Sequence, residues 1–442
     1  MRHHARAPHA PRGYPQANIR FDPVSVAGSG NLQRWRGQRR GTRGRGTWGW
    51  DRVRLDGVLS ADPLVERMRG FGTTIFAEMS ALALSTNSVN LGQGFPDTDG
   101  PTELLAAAVE AIRAGHNQYP PGPGIPALRE AIAAHQQCHY ALDYAPDGEV
   151  LVTAGATEAI AAAILALAGP GDDVVLFEPY YDSYAACVAL AGARRRTVTL
   201  ERDGDGWGFD RDALRAAITP HTKAVLLNTP HNPTGKVFSA DELTVIAELA
   251  REHDLIVISD EVYEHLTFDG RRHLPIATLP GMRERTVTIS SAGKTFSVTG
   301  WKIGWACAPA PLLNAVRTVK QFLTYVNGAP FQPAVAGALS ADMAYFDGVA
   351  TQLQRQRDLL CDGLASLGCD VVVPQATYFA TVDVHADAVE YCRDLPRRAA
   401  VVAIPSSVFY DSSAGDSFVR FAFCKRPDVI DEALRRLTQA QP

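Results

Sequence analysis

From Val58 onward, hydrophobic and polar positions follow two alternating periods. Apolar residues spaced three and four apart predict helices at residues 74–84, 104–112, 125–135, 158–167, 183–190 and 240–252. Short runs rich in apolar and β-branched residues predict buried strands at residues 150–153, 173–177, 224–228, 255–259, 286–290 and 303–306. This alternation predicts an α/β fold, in which helices cover both faces of a mostly parallel sheet.

The C-terminal part of the chain has longer helical patterns, at residues 311–325 and 352–367, and it closes with a strand at 418–423 and a helix at 428–437. These elements predict a second, smaller α/β layer. The expected organisation is a leader, an N-terminal segment that contributes to the small domain, a large domain and a small C-terminal domain. Their expected bounds are 1–57, 58–95, 96–325 and 326–442.

The leader is rich in arginine and glycine and contains almost no aliphatic residues, so it cannot build a hydrophobic core. An RGG-like nucleic-acid tail and an arginine-rich targeting peptide are two interpretations of this composition. We favour a third, a disordered or wrongly translated leader, because arginine-rich low-complexity tails have many origins.

The composition is ordinary for a soluble globular protein, with 442 residues, 46% hydrophobic residues and a net charge of -5. This charge predicts neither nucleic acid nor membrane as a partner, and no apolar stretch is long enough to span a bilayer. The seven cysteines are scattered and form no C-x-x-C pair. We therefore expect no disulfide framework and no metal site, and a reducing cytoplasm is the simplest compartment.

Two charged residues stand beside predicted strands. Lys294 follows a buried-strand pattern in Ser290-Ser-Ala-Gly-Lys-Thr-Phe296, and Asp260 ends the apolar strand in Ile256-Val-Ile-Ser-Asp-Glu-Val-Tyr263. Ligands of open α/β sheets bind at the carboxyl ends of the strands. A solvated surface lysine and a helix N-cap aspartate remain the structural alternatives. A buried acid at this edge needs a cationic partner, and a protonated pyridine nitrogen is one such partner.

Two further segments belong to the same edge. The turn Asn228-Thr-Pro-His-Asn-Pro-Thr-Gly235 presents the amide of Asn232, which suits a phenolate oxygen, although it could be a turn and nothing more. Gly155-Ala-Thr157 opens a predicted helix, whose free N–H groups can bind phosphate.

Taken together, these segments resemble the class I/II aminotransferases of fold type I, which depend on pyridoxal 5′-phosphate (PLP). The motifs N-x-P-H-N-P-T-G, S-D-E-V-Y and S-x-x-K-T-F-x-x-x-G-W-K-x-G-W occur in the family's order and at its spacing. The resemblance extends from about Val58 to the C-terminus. It implies a large domain with a mostly parallel seven-stranded sheet between helices and a smaller α/β domain.

The resemblance also implies a role for each matching residue. Lys294 would hold PLP as a Schiff base and move the substrate proton, and Asp260 would keep the pyridine nitrogen protonated. Arg420, in Phe418-Val-Arg-Phe-Ala-Phe423, would bind the substrate α-carboxylate. The resemblance assigns the remaining positions as follows: Tyr263 and Asn232 to the 3′-oxygen, Tyr181 to the ring face, Ala156, Thr157, Ser291 and Lys302 to the phosphate, and Asn232 with the Gly94 backbone to the carboxylate.

Tyr119, in Asn117-Gln-Tyr-Pro-Pro-Gly122, matches a residue that relatives donate across a dimer interface to the neighbouring phosphate. The resemblance therefore implies a homodimer, with an amino-acid donor and a 2-oxo-acid acceptor as its partners. Lys302 departs from the family, because many relatives have arginine there. This change keeps the charge and loses bidentate contact.

Within the family, residues 90–97 and 299–305 resemble the branch of kynurenine, glutamine and methionine aminotransferases. Residues 117–124 and 325–334 resemble actinobacterial N-succinyldiaminopimelate aminotransferases of lysine and cell-wall synthesis. The expected reaction is transamination of N-succinyl-LL-2,6-diaminopimelate with 2-oxoglutarate. Donors for its distal carboxylates are expected in residues 95–98 or 320–327, although the second segment could pack the domain interface instead.

Three alternatives remain open from the sequence. The first is an aminotransferase that acts on kynurenine, methionine or glutamine. The second is a cysteine-S-conjugate β-lyase, which would use the same lysine and aspartate. The third and most remote is a PLP-binding transcription regulator, although the leader lacks the apolar periodicity that a helix-turn-helix needs.

Overall fold

A computed structural model describes residues 64–72 and 74–440. The predicted leader at residues 1–57 lies outside them. The described strands are β1 Val89–Asn90, β2 Val150–Ala154, β3 Asp173–Glu178, β4 Arg194–Thr199, β5 Glu201–Asp203, β6 Gly206–Gly208, β7 Thr222–Asn228, β8 Ile256–Asp260, β9 Thr286–Ser291, β10 Ile303–Cys307, β11 Asp370–Val372, β12 Phe379–Asp383, β13 Val401–Val402, β14 Ile404–Pro405 and β15 Phe418–Ala422.

The described helices alternate with these strands through most of the chain. They are α1 Ile75–Thr86, α2 Thr102–Arg113, α3 Pro126–Tyr140, α4 Pro146–Glu149, α5 Gly155–Leu167, α6 Asp182–Ala191, α7 Arg211–Ala217, α8 Ala240–Glu252, α9 Ala292–Thr295, α10 Ala310–Leu323, α11 Phe331–Leu339, α12 Met343–Ser366, α13 Ala388–Ala399 and α14 Pro427–Gln439. Among the described residues, no helix is long and apolar enough to cross a membrane.

The largest sheet has seven strands in the order β2-β10-β9-β8-β7-β3-β4. Only β10 runs antiparallel to its neighbours, while the β9-β8-β7-β3-β4 pairs are all parallel. Alternate residues of β3 enter opposite cores, with Val174 and Leu176 on one face and Val175 and Phe177 on the other. This alternation explains the continuous hydrophobic runs of the central strands, because both faces of a parallel sheet are buried.

A second sheet lies in the C-terminal part of the chain. Its four strands are antiparallel and follow the order β11-β12-β15-β14. β1 pairs in parallel with β13, so the segment before the large sheet joins the C-terminal layer. The core beneath this layer includes Leu91, Leu360, Ile404 and Phe421.

Sequence periodicity predicts most elements of the large sheet within a few residues, but it misses β4. β4 is an edge strand that opens with Arg194, Arg195 and Arg196, and such a charged run is more typical of a loop. Arg194 and Arg196 lie on the same side of the strand and both contact the carboxylate of Asp173. The strand is therefore held by ion pairs as well as by its backbone pairing with β3.

Candidate functional site

A cavity of about 380 Å³ lies at the carboxyl edge of the seven-stranded sheet. β7, β8 and β9 end there in Asn228, Asp260 and Ser291. Asn228 and Asp260 are paired across adjacent strands. The C-terminal layer covers the opposite side with Phe379 and Arg420. Parallel strands deliver side chains from distant sequence positions to one edge, and this topology assembles the site.

Asp260 is a buried carboxylate with no ion-pair partner among the described residues. Its Oδ2 accepts a hydrogen bond from the Tyr184 hydroxyl at 2.5 Å, and its Oδ1 accepts one from the Val262 backbone at 3.3 Å. Burial raises the pKa of Asp260 to about 6, although these two hydrogen bonds oppose the shift. The site therefore contains an acid whose charge would be stabilised by a cation bound in the cavity.

Lys294 is on the short helix α9, one turn after β9. Its Nζ is 5.6 Å from the ring centroids of both Tyr263 and Tyr378. Desolvation by these surroundings lowers the pKa of Lys294, although the charge of Asp260 opposes the shift. A buried amine with a lowered pKa has a larger neutral fraction, so it can act as a nucleophile or a base.

Gly155 and Lys302 form a narrow cradle at the start of α5. The φ of Gly155 is +75°, and a Cβ at this position would lie 3.1 Å from Lys302 Nζ. Gly304 is just as constrained, because its Cβ would lie 2.5 Å from the Gly155 backbone. Both glycines let the Lys302 ammonium approach the first-turn N–H groups of α5, which have no partner within the helix. The cradle therefore suits a phosphate.

Arg420 is 2% exposed and extends from β15 into the cavity. Its Nη1 donates to Asn232 Oδ1 at 3.2 Å and its Nη2 to the Gly92 carbonyl at 3.1 Å, whereas its Nε has no partner in the described part of the chain. Its guanidinium carbon is 4.0 Å from the centroid of the Phe379 ring. Burial lowers the pKa of Arg420 to about 10, at which it remains protonated at neutral pH. A buried guanidinium without a carboxylate partner suits an anionic ligand.

The cavity brings together all the residues named in the sequence analysis except Tyr119. Those that line it are Gly94, Ala156, Thr157, Tyr181, Asn232, Asp260, Tyr263, Ser291, Lys294, Lys302 and Arg420. Tyr119 does not line this cavity and is 82% exposed, with its ring 5.6 Å from that of Tyr325. Position 94 requires glycine for steric reasons, because a Cβ there would lie 2.3 Å from the Phe379 ring.

The sequence analysis missed two residues that organise this site. The Tyr184 hydroxyl donates a hydrogen bond to Asp260. Tyr184 is in the first turn of α6, three residues after Tyr181. Asn228 donates from its amide to the Asp260 carbonyl at 2.9 Å and accepts from the Asn232 backbone at 2.7 Å. A signal for Asn228 was its position as a polar residue that ends a buried strand, directly before the turn that carries Asn232.

Comparison with known proteins identifies the fold and the reaction class. The sequence profile described as "Aminotransferase class I and II" matches residues 86–437. The chain belongs to the class I and II aminotransferases. It is 55% identical over 387 residues to the protein named "Probable N-succinyldiaminopimelate aminotransferase DapC" of Mycobacterium tuberculosis, with 85% of this chain and 98% of that protein covered.

Other relatives agree with this membership. The methionine aminotransferase of Escherichia coli is 38% identical over 387 residues, covering 86% of this chain and all of the relative. The solved structure of N-succinyldiaminopimelate aminotransferase from M. tuberculosis has a TM-score of 0.84 and 55% identity, with 86% of this chain and 100% of that chain covered. The predicted fold type I architecture and the predicted family branch are therefore confirmed.

This aminotransferase is PLP-dependent, like the family and its structural neighbours. The residues present fit that cofactor, since the cavity offers one unpaired acid, one lysine with a lowered pKa and one cationic cradle at a helix N-terminus. Three separate observations of the cavity thus match a ligand that has a basic ring nitrogen, an aldehyde and a phosphate.

Proposed function

We propose that this aminotransferase transfers the amino group of N-succinyl-LL-2,6-diaminopimelate to 2-oxoglutarate. The observation that carries the substrate assignment is 55% identity across 98% of the mycobacterial protein of that name. This reaction would be a step in the synthesis of lysine and diaminopimelate. The choice of 2-oxoglutarate as the amino acceptor rests on what is expected of the family.

Each end of PLP has its own set of residues in this proposal. Lys302, Ser291 and the α5 amides of Ala156 and Thr157 hold the phosphate. Asp260 pairs with the ring nitrogen and keeps it protonated, and Tyr184 fixes the orientation of the acid. Tyr181 would pack on the face of the ring, and Tyr263 and Asn232 would bind its 3′-oxygen.

Bound in this way, PLP supplies the electron sink that lets the α-carbon of the substrate lose a proton. Lys294 takes that proton at its Nζ and returns it, because its pKa is lowered by burial and its side chain lines the cavity. Arg420 binds the α-carboxylate and thereby orients the α-hydrogen. Phe76 and Phe379 beside the guanidinium exclude water and strengthen this contact.

Tyr119 completes the phosphate site of a neighbouring subunit in a homodimer. Its support is an exposed aromatic surface, in which Tyr119 and Phe322 are 82% and 83% exposed and Tyr325 is 52% exposed. Contiguous exposed aromatic residues are typical of interfaces. Mixing Tyr119→Phe and Arg420→Ala subunits tests the assignment, because hybrid dimers should regain activity that neither variant has. No recovery in hybrids that do form would mean that Tyr119 acts in its own subunit or not at all.

The distal carboxylates of the substrate need donors near the mouth of the cavity. The Lys320 ammonium is already engaged, because it donates to the Tyr325 carbonyl at 2.6 Å and to the Gly122 carbonyl at 3.3 Å. The Thr324 hydroxyl is likewise engaged by Glu158 at 2.6 Å. Residues 95–98 remain the other candidate segment. Lys425 donates to the Phe95 carbonyl at 2.8 Å and so holds that loop.

The second candidate function is transamination of methionine, kynurenine or glutamine. Its support is 38% identity to the methionine enzyme and the aromatic side chains of Phe76 and Phe379 in the cavity wall, which suit a neutral substrate. Values of kcat/KM for the four donors with 2-oxoglutarate distinguish the candidates. A preference of tenfold or more for a neutral or aromatic donor, about 1.4 kcal/mol, would overturn the succinyldiaminopimelate assignment.

A further inference from the structure

A cluster of three histidines lies outside the PLP cavity. His135 and His139 are four residues apart on α3, so they lie on one face of that helix. His265 comes from the segment after β8. One ring nitrogen from each of the three lies within 4.8 Å of the others. The two ring contacts that connect the helix to this segment have centroid distances of 5.0 Å and 4.9 Å.

The ring nitrogens of this cluster are short of partners. The only hydrogen bond found for these imidazoles in the described residues joins His135 Nε2 to His265 Nε2 at 2.7 Å. His135 is 3% exposed, and its Nδ1 has no partner. None of the three forms an ion pair with a carboxylate of the described chain. Hydrogen bonding therefore does not explain why three imidazoles converge.

All three imidazoles favour the form that binds metal. Desolvation lowers the pKa of His135 to about 4 and also lowers the pKa values of His139 and His265. A neutral imidazole has a free lone pair, and it is the most common protein ligand for zinc and similar ions.

We propose that His135, His139 and His265 bind a divalent transition-metal ion, with Zn²⁺ as the reference ion. Zinc–nitrogen bonds of about 2.0–2.1 Å in a tetrahedral site place the ligating nitrogens about 3.4 Å apart. This separation falls between the 2.7 Å of the closest pair and the 4.8 Å limit for the trio.

The cluster borders a cavity, which can supply a water as the fourth ligand. This cavity of about 300 Å³ is lined by His139 and His265, and by the acidic residues Glu264 and Asp347. Water from it completes the coordination, and the two acids balance the charge of the ion. The site ties α3 to the segment that carries Asp260 and Tyr263, so the bound ion stabilises the fold next to the PLP cavity. This proposal departs from the sequence analysis, which expected no metal site.

A second group of possible ligands does not share these properties. Asp370, Asp383 and His385 also lie close together, but both oxygens of Asp370 accept from Arg202 at 2.7 Å and 2.8 Å. Its carboxylate is already neutralised, and His385 is exposed. The trio of His135, His139 and His265 is therefore the group whose ligand atoms have no charged partner among the described residues.

The test uses the full-length PLP-loaded protein and Zn²⁺. After dialysis against metal-free buffer, the wild type should retain about one more equivalent of zinc than His139→Gln or His265→Gln, measured by elemental analysis. Calorimetric titration should give dissociation constants at least tenfold weaker for these variants. His221→Gln, which removes an exposed histidine from the loop before β7, is the matched control and should bind as the wild type does. The control is needed because histidines outside the cluster, such as His3, His4 and His9, also offer imidazoles that can bind zinc.

A second measurement guards against misfolded variants. Zinc should raise the Tm of the wild type and of His221→Gln but not that of His139→Gln, because only an ion bound to the folded state stabilises it. The visible spectrum of bound PLP shows that each variant is folded. Equal zinc retention by the wild type and both cluster variants, or no retention by the wild type, would overturn the proposal.

Discussion

Two buried aspartates of the seven-stranded sheet have opposite surroundings. Asp173 begins β3 and accepts from Arg194 and Arg196 at 2.7 Å each, which lowers its pKa to about 2. Asp260 ends β8 with a tyrosine and a backbone amide as its donors, and its pKa rises to about 6. The chain supplies charged partners for Asp173, whereas Asp260 has no charged partner among the described residues. Charges at the amino edge of the sheet should therefore serve stability, and charges at the carboxyl edge should serve chemistry.

The largest effect that this contrast predicts is at Lys294. Lys294→Ala should lower kcat/KM by about a thousandfold or more, because it removes the group that moves the proton. The Tm of the cofactor-free protein should not fall, since Lys294 forms no ion pair within the described part of the chain. The matched variant is Lys320→Met, which removes a buried lysine that bonds only to backbone carbonyls. Comparable loss of activity in both variants would contradict a chemical role specific to Lys294.

At Asp260, the charge should matter more than the size. Asp260→Asn should reduce kcat/KM by about 10²–10³-fold, because a neutral amide cannot keep the ring nitrogen protonated. Asp260→Glu keeps the charge and should retain more activity. Steady-state kinetics with saturating PLP separates this effect from weaker cofactor binding. Equal activities of the two variants would show that the negative charge is not what the site requires.

At the amino edge of the sheet, Asp173→Asn should lower stability and leave catalysis almost unchanged. Its two arginines and Thr219 would face an amide that cannot accept all their hydrogen bonds. The free energy of unfolding should fall by roughly 1–3 kcal/mol. Denaturant titration measures the loss, and kcat with saturating PLP should stay within about twofold. A large drop in kcat for fully folded Asp173→Asn would contradict the assignment of stability to the amino edge and chemistry to the carboxyl edge.

The last expected effect, similar in size to that of Asp173→Asn, is a difference in pH dependence between cofactor-free variants. The pKa of Asp260 is raised by folding, so its charge destabilises the folded state increasingly as the pH rises from about 4 to 6. Asp260→Asn should therefore gain roughly 1–3 kcal/mol over the wild type at pH 7 and almost nothing at pH 4.

The pKa of Asp173 is lowered by folding, so its contribution is fully present above pH 4 and is lost only as the pH falls toward 2. The free energy of unfolding that Asp173→Asn loses relative to the wild type should accordingly stay constant between pH 4 and 7. Thermal unfolding at several pH values measures both variants. Parallel profiles for the two would mean that the aspartates do not differ as the structure indicates.

The sequence predicts the carboxyl edge better than the amino edge. β8 and β9 are buried on both faces, so their apolar runs stand out, and the residues that follow them carry the family's motifs. β4 and α13 were missed for local reasons. β4 begins with three arginines, and α13 contains Pro396, which usually ends a helix.

Contacts between distant positions were beyond sequence reasoning. The bond from Tyr184 to Asp260 and the meeting of His135 with His265 depend on how helices pack against strand ends. No period or spacing in the sequence encodes these contacts. The arginines of β4 did carry a usable signal, because Arg194 and Arg196 are two apart and so lie on one side of a strand.

The pairing of β1 with β13 also bears on how the enzyme is made. The Gly92 carbonyl follows β1, and it accepts a hydrogen bond from Arg420, which lies 328 residues later in the sequence. During translation, the carboxylate clamp cannot close until Arg420 has left the ribosome. The hydrogen bond between Arg420 and Gly92 therefore forms only after both segments have been synthesised, later than the meeting of Asp260 with Lys294 becomes possible.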